Sequence, residues 1–249
     1  MKFSLNITWM YPDLMNTYGD RGNVITLEKR CLWRNIVVSV MMHGLDSPAS
    51  QLSQSDLLFM GGAQDRQQKL VSQDLYQQKG KLLKELIDKG TPGLFICGAY
   101  QFLGHYYKPA EGEKIPGLSI FDVHTIHFGI NKPRAIGNLI IQWHKHKLVG
   151  FENHGGRTYL GKRVRPLGKV IKGYGNNGED GTEGAIYKNA LGSYLHGPIL
   201  PKNSCVADWL IKKALENKYQ QEINLEPLDD QLDVQAHQFM LKRLGITCN

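Results

Sequence analysis

The sequence predicts an α/β protein with a central, mostly parallel sheet, helices on both of its faces, and a β-rich second half. Through the first hundred residues, apolar β-like runs alternate with helical patterns, as expected of parallel strands joined by crossover helices. From about residue 118 to residue 195, short β-like segments are separated by glycine-rich turns, and helical spacing returns only afterwards. A chain of 249 residues, 41% hydrophobic, can bury one substantial core, so a single domain over 1–249 is expected.

Residues 3–8 read as the first strand. Val24, Leu27 and Cys31 recur at helical spacing, predicting a helix over about 22–34 with Cys31 on its buried face. Residues 36–42 form a second strand and 56–60 a third, which ends abruptly at Gly61-Gly62. A long helical region carries Leu70, Leu75, Leu82, Leu83, Leu86 and Ile87, with a break expected at Gly80 and a stop at Gly90 and Pro92. Residues 93–96 are the next strand, and Cys97 sits where it ends. In the second half, 138–143, 147–151 and 184–187 read as strands. Two helices close the pattern, one with Val206, Ala207, Leu210, Ile211, Ala214 and Leu215 inward, the other with Leu232, Ala236, Phe239, Met240 and Leu244.

Composition narrows the function. Apolar stretches such as residues 36–42 fall far short of the roughly 20 residues a membrane helix needs. Asn6 and Asp13 interrupt the opening run, so no signal-peptide core is read and a cytoplasmic location is expected. A net charge of +7 suits nucleic acid, a phosphate-bearing substrate or an acidic partner. The basic residues are dispersed, however, and the densest cluster, Lys162-Arg163-Val164-Arg165, has no interleaved aromatics; it reads as a solvated turn, and no nucleic-acid partner is expected. Cys31, Cys97, Cys205 and Cys248 form no CxxC pair, against a zinc ribbon or a disulfide framework. Cys31 and Cys205 read as packing residues. His124 and His127 lack a third ligand at suitable spacing, so no metal is expected.

The chemistry concentrates in three segments. In Gly93-Leu94-Phe95-Ile96-Cys97-Gly98-Ala99-Tyr100-Gln101 an apolar strand delivers a cysteine to small residues and an amphipathic helix. Such an elbow exposes the sulfur at the carboxyl end of a sheet, and the helix N-terminus is expected to favour thiolate. Phe59-Met60-Gly61-Gly62-Ala63-Gln64-Asp65 ends a neighbouring strand in glycines, whose free amides can serve an oxyanion; Gly62 and Gly98 are the expected donors. Gly192-Ser193-Tyr194-Leu195-His196-Gly197 brings a histidine to a turn, where His196 can act as base and acid for Cys97. Gly156-Arg157-Thr158-Tyr159-Leu160-Gly161-Lys162-Arg163 imitates a phosphate-binding loop. Arg163 stands where a Ser or Thr would hold Mg²⁺ and no helix is expected to follow, so it is read as a false match.

Together these segments resemble class I glutamine amidotransferases, a flavodoxin-like fold, and specifically the cobyric acid synthase-like (CobB/CobQ) branch. Cys97-Gly98-Ala99-Tyr100-Gln101 looks like that branch's Cys-Gly-Gly-Tyr-Gln elbow with Ala99 for a glycine, and Leu195-His196-Gly197 matches its histidine motif. Many class I members have a glutamate two residues after the histidine; here Pro198 stands there, which implies a Cys–His dyad or an orienting residue from elsewhere. Glu152 and Asp20 are both candidates, and spacing does not choose between them.

Over nearly the whole chain the sequence is similar to the glutaminase subunits of lipid II isoglutaminyl synthases, the GatD family. The similarity is carried by Tyr11-Pro12-Asp13-Leu14-Met15-Asn16-Thr17-Tyr18-Gly19-Asp20-Arg21-Gly22-Asn23, Gly61-Gly62-Ala63-Gln64-Asp65 and Phe151-Glu152-Asn153-His154-Gly155-Gly156. That resemblance implies that Arg134 grips the glutamine α-carboxylate, as a guanidinium fork suits. It implies ammonia release from L-glutamine by Cys97 and His196, no cofactor in this chain, and a heterodimer with a MurT-like Mur ligase. The partner would bring ATP and Mg²⁺ and amidate the D-glutamate of lipid II for peptidoglycan synthesis, at the inner face of the membrane. Other readings stay open: an ammonia donor for cobalamin or pyridoxal phosphate synthesis, a scaffold whose elbow is a relic, and a basic nucleic-acid-binding protein.

Overall fold

A computed structural model describes residues 2–63, 65–129 and 131–247, the side chains of 65 and 66 excepted. Gln64 of the glycine motif and Cys248 lie outside the described residues. The first half is strand–helix alternation: β1 (Ser4–Met10), α1 (Arg21–Leu32), β2 (Val37–His43), β3 (Leu57–Met60), α2 (Asp65–Asp74), α3 (Gly80–Asp88), β4 (Gly93–Ile96) and α4 (Gly98–Leu103). β-rich structure follows: β5 (Tyr106–Lys108), β6 (Ile115–Pro116), β7 (Val123–His127), β8 (Ala135–Trp143), β9 (His146–His154), β10 (Gly156–Leu160), β11 (Gly168–Lys172), β12 (Thr182–Glu183), β13 (Ala185–Tyr187) and β14 (Ala190–Ser193). Two helices, α5 (Ser204–Tyr219) and α6 (Gln231–Arg243), come last.

The central sheet runs β13-β14-β4-β3-β1-β2. Its pairs β14–β4, β4–β3, β3–β1 and β1–β2 are parallel, and only β13, at one edge, is antiparallel. Both faces are covered, and side-chain alternation shows why the strands read as unbroken apolar runs. Leu57 and Phe59 of β3, with Leu94 and Ile96 of β4, enter one core with Leu27 and Cys31 of α1 and Leu210 and Ile211 of α5. Leu58, Met60 and Phe95 point the other way, into a second core with Val71, Leu83, Ile87 and Phe102 of α2 to α4. Cys31 is fully buried, as its helical spacing predicted, and Cys205 is half-buried against the first core.

Two smaller sheets, ordered β10-β7-β5-β6 and β12-β11-β8-β9, make up the β-rich part. Two expectations need correction. The helical region does not break at Gly80: one wide π turn over Leu75–Lys79 carries α2 into α3, and Gly80 is crowded by Leu118 and the carbonyl of Leu75. On α6 only the C-terminal part of the expected face packs inward. Leu241 is buried, with Met240 and Leu244 packed beside Ile140 and Val149, whereas Leu232 and Phe239 are 80% and 64% exposed. The phosphate-loop imitation is the strand β10, and the chain beyond it closes on the Asp122 carboxylate, which accepts the Arg163 amide (3.0 Å). Among the described residues no helix is long and apolar enough to cross a membrane.

Candidate functional site

Because β14, β4, β3 and β1 are neighbours and parallel, the segments that leave their carboxyl ends converge on one spot, where open α/β sheets bind ligands. β4 delivers Cys97, β3 delivers Gly61-Gly62, β14 leads to His196, and the chain after β1 leads through Tyr18 to Asp20. Cys97 has φ +52° and ψ −104°, a conformation that costs a non-glycine residue free energy and is held by its surroundings. Its amide donates to Ser193 of β14 (2.8 Å) and its carbonyl accepts from Gln101 (3.0 Å), so the elbow is pinned on both sides. The thiol is half-buried at the floor of a cavity of about 540 Å³.

His196 reaches the same cavity from outside the regular sheet. Its backbone pairs with Phe151 of β9, donating at 2.7 Å and accepting at 3.2 Å, which ties the second half of the chain to the site. The imidazole is fully buried beneath the ring of Tyr18, edge-on at 5.0 Å between centroids. Gly62 shows how closely the parts approach: a Cβ there would stand 3.0 Å from Cε1 of His196, 3.3 Å from Cβ of Cys97 and 3.7 Å from Oδ2 of Asp20. This glycine is required by space, since its φ is not in the left-handed region.

Arg134 lies at the cavity rim, where Nε donates to Oδ1 of Asn153 (2.9 Å) and an Nη to the Asn153 carbonyl (3.1 Å). Asn153 in turn donates to the Tyr18 hydroxyl, so guanidinium, amide and phenol form one fixed rim. No described acidic side chain forms an ion pair with Arg134. Gln68, Gln101, His127, His154 and Gly156 are also part of the lining. His154 is stacked on Tyr194 at 3.7 Å between centroids and donates from Nδ1 to the Gly156 carbonyl (2.7 Å). His124, considered above as a metal ligand, is instead stacked between Tyr106 and Tyr159.

Two electrostatic expectations differ from what the structure holds. The helix N-terminus does not make Cys97 a resting thiolate: burial, then the nearby Asp20 charge, push the thiol up to about 12, against the Gly98 amide bonded to the sulfur and the more distant Arg134. The six residues of α4 are too short a dipole to outweigh desolvation. The Gly62 amide is also not free, since it donates to Oδ2 of the fully buried Asp20 at 2.7 Å. Burial, followed by the His154 and Lys202 charges, holds His196 down at about 3, so thiol and neutral imidazole face each other at rest. Of the two candidate orienting acids, Glu152 is committed elsewhere. Its oxygens accept the amides of Tyr174 (2.7 Å) and Gly175 (3.0 Å), and Oε2 lies 3.4 Å from Nε2 of His154.

A nucleophile on a strained elbow, an adjacent buried imidazole and a rim guanidinium suit acyl transfer from a small amide carrying a carboxylate. Comparison with known proteins gives the lineage. The profile of the CobB/CobQ-like glutamine amidotransferase domain matches residues 6–204. The chain belongs to that family. The CobB/CobQ-like match spans every strand that forms the site, from β1 to β14. Relatives within the curated proteins include the lipid II isoglutaminyl synthase (glutamine-hydrolyzing) subunit GatD of Staphylococcus aureus, 43% identical over 96% of both chains. The subunit of the same name from Streptococcus pneumoniae is 39% identical over 92% of this chain and 87% of its own. Among solved structures, one described as a glutamine amidotransferase superposes with a TM-score of 0.59 over 83% of this chain and 98% of its own; at 11% identity it supports the fold alone.

Tyr18, Gln101, Asn153 and His154 lie inside segments quoted for the resemblance, yet no role was assigned to them from sequence. Gln68 carried no signal at all, because a glutamine on an amphipathic helix looks like any solvated position.

Proposed function

We propose that this CobB/CobQ-like amidotransferase is the glutaminase subunit of a lipid II isoglutaminyl synthase. The observation that carries the reading is the strained Cys97 elbow beside the buried His196 under an Arg134-bearing rim. Arg134 receives the α-carboxylate of L-glutamine and directs its side-chain amide to Cys97. The sulfur attacks the amide carbon as the thiol proton passes to His196, and the Gly98 amide, with that of Gly62 once released, receives the oxyanion. His196 returns the proton to the leaving nitrogen, the C–N bond breaks and ammonia departs, leaving a γ-glutamyl thioester. Water, deprotonated by His196, then breaks the C–S bond to give L-glutamate and the restored thiol.

The chain acts as one glutaminase domain over 1–249, needs no cofactor or metal of its own, and works in the cytoplasm at the inner face of the membrane. Its partner is a separate Mur-ligase-like subunit that uses ATP and Mg²⁺ to activate the D-glutamate α-carboxylate of lipid II, which the ammonia converts to D-isoglutamine. The names and identities of the two GatD relatives support this pathway over cobalamin or pyridoxal phosphate synthesis. The test is Cys97→Ala in a reconstituted complex, reading acceptor amidation by mass spectrometry with ATP and either glutamine or ammonium chloride at mildly alkaline pH. Glutamine-driven amidation should fall at least about a thousandfold while the ammonium-driven reaction survives. Loss of both in an intact complex would mean that Cys97 serves the synthetase step.

A further inference from the structure

Among the buried groups of this site with open valences, two border the same glycine. Asp20 is fully buried; Oδ2 accepts the Gly62 amide at 2.7 Å, and Oδ1 has no hydrogen-bond partner. His196 is equally buried, and neither of its ring nitrogens has a partner. An unpaired buried polar atom is costly, so three of them around one glycine call for a state in which they are satisfied. The space between imidazole and carboxylate stays open only because residue 62 has no side chain: a Cβ would sit 3.0 Å from Cε1 of His196 and 3.7 Å from Oδ2 of Asp20. The other buried acids near the site are bound elsewhere, although Oε2 of Glu183, like Oδ1 of Asp20, has no partner. Glu152 binds the amides of Tyr174 and Gly175, and Oε1 of Glu183 accepts from the Ser193 hydroxyl (2.8 Å) and the Tyr194 amide (2.6 Å).

We infer that Asp20 is the positioning residue of His196: when the imidazole takes the Cys97 proton, the Asp20 carboxylate turns to the imidazolium and thereby releases the Gly62 amide to the oxyanion. No atom is exchanged in that turn: burial raises the Asp20 carboxyl to about 7, against the Gly62 amide that lowers it, and the carboxylate form, which predominates above that pH, is the one that pairs with the protonated ring. At rest the surroundings of His196 oppose positive charge, through burial and the neighbouring His154 and Lys202, so the protonated ring needs an anionic partner. The Gly62 amide bond to a carboxylate carries charge on one partner only, whereas an imidazolium–carboxylate bond carries it on both, so the imidazolium competes well with the backbone amide for Asp20. One carboxylate thus supplies the role that Pro198 cannot, and couples proton transfer to opening of the oxyanion site. The chain before α1 supplies it, at a sequence distance that no local motif would reveal.

This inference rests on the glutaminase reading, and the test separates the two. Glutamate release and glutamine KM are measured on the chain with its partner subunit for wild type, Cys97→Ala, Asp20→Asn and Asp20→Glu, with thermal midpoints and iodoacetamide alkylation of Cys97. Activity in the wild type and none in Cys97→Ala fixes the underlying reading whatever Asp20 does. Asn keeps an oxygen for the Gly62 amide at nearly equal volume, removes the charge and puts an NH2 donor in place of the second oxygen. Asp20→Asn should keep its thermal midpoint and KM within about threefold while kcat falls about a hundredfold. Cys97 should alkylate faster in this variant, because a charge that holds the thiol up is gone. Asp20→Glu should retain more turnover than Asp20→Asn. Wild-type kcat in a folded Asp20→Asn protein overturns the inference, as does slower alkylation in step with slower turnover, the mark of simple structural damage. If Asp20→Asn does not fold, a fully stable Asp20→Glu protein with no more turnover than Cys97→Ala overturns it too.

Discussion

Adding one methyl group at Gly62 should cost turnover as well as stability. In Gly62→Ala the new Cβ would lie 3.0 Å from Cε1 of His196 and 3.3 Å from Cβ of Cys97, contacts that must each open by a few tenths of an ångström. The Cys97 side cannot yield easily, since its backbone is bonded to Ser193 and Gln101. The imidazole can, because Tyr18, packed edge-on against it, is 47% exposed and is held on its outer side only by the Asn153 hydrogen bond to its hydroxyl. Relief therefore comes from tilting His196 away from the sulfur, at a stability cost near the lower end of the roughly 1–3 kcal/mol typical of overpacking. Proton transfer between sulfur and imidazole is less forgiving, since a displacement of about 1 Å can cost about a hundredfold in rate. On that scale a shift of a few tenths should lower kcat by roughly 4- to 10-fold. The assay pairs chemical denaturation with glutamate release at saturating glutamine, and iodoacetamide alkylation of Cys97 should remain near the wild-type rate. A stable Gly62→Ala protein with kcat within about twofold of wild type would refute the placement of His196 and Cys97 around this glycine.

Three further outcomes follow from the same geometry. Arg134→Ala should raise the KM for glutamine about 10- to 100-fold, the loss of a charge-assisted contact, with a smaller change in kcat; unchanged glutamine kinetics would remove Arg134 from the substrate site. Because the Cys97 thiol is held near 12, the alkylation rate in the resting protein should climb about tenfold per pH unit from pH 7 to 9, whereas a plateau below pH 8 would reveal a resting thiolate. Glu183 is pushed up to about 7 from 4.5, mainly by burial, so its protonated form is favoured in the fold and its contribution, full below 4.5, is lost as pH rises to 7. Relative to Glu183→Gln, wild-type stability should fall by on the order of 3 kcal/mol between pH 5 and pH 8, read from denaturant midpoints; a pH-independent difference would show that Glu183 is ionised throughout.

Much of this protein is local in origin and therefore legible in its residues. Strands such as Leu57–Met60 and Gly93–Ile96 are apolar at every position because both faces of a parallel sheet are buried, and the glycines and cysteine that follow mark where each strand must turn. The elbow, the histidine turn and the family resemblance were all readable from segments a few residues long. Charge states were not, because they depend on groups brought together from distant positions. Burial first, then the charges of Asp20 and Glu183, outweigh the Gly98 amide and Arg134 at Cys97 and leave a thiol where helix polarity alone suggested a thiolate. The same holds for the choice between Glu152 and Asp20. Sequence offered two acids, and only packing shows one tied to Tyr174 and Gly175 and the other holding the Gly62 amide with one oxygen while the second stays unpaired. The exposed Leu232 and Phe239 make the point for burial: helical spacing sets which residues share a stripe, but which side faces the core is decided by what packs against the helix, here Ile140 and Val149. Periodicity and turn chemistry are short-range and survive in one dimension; desolvation, pairing and facing are sums over neighbours that exist only once the chain has folded.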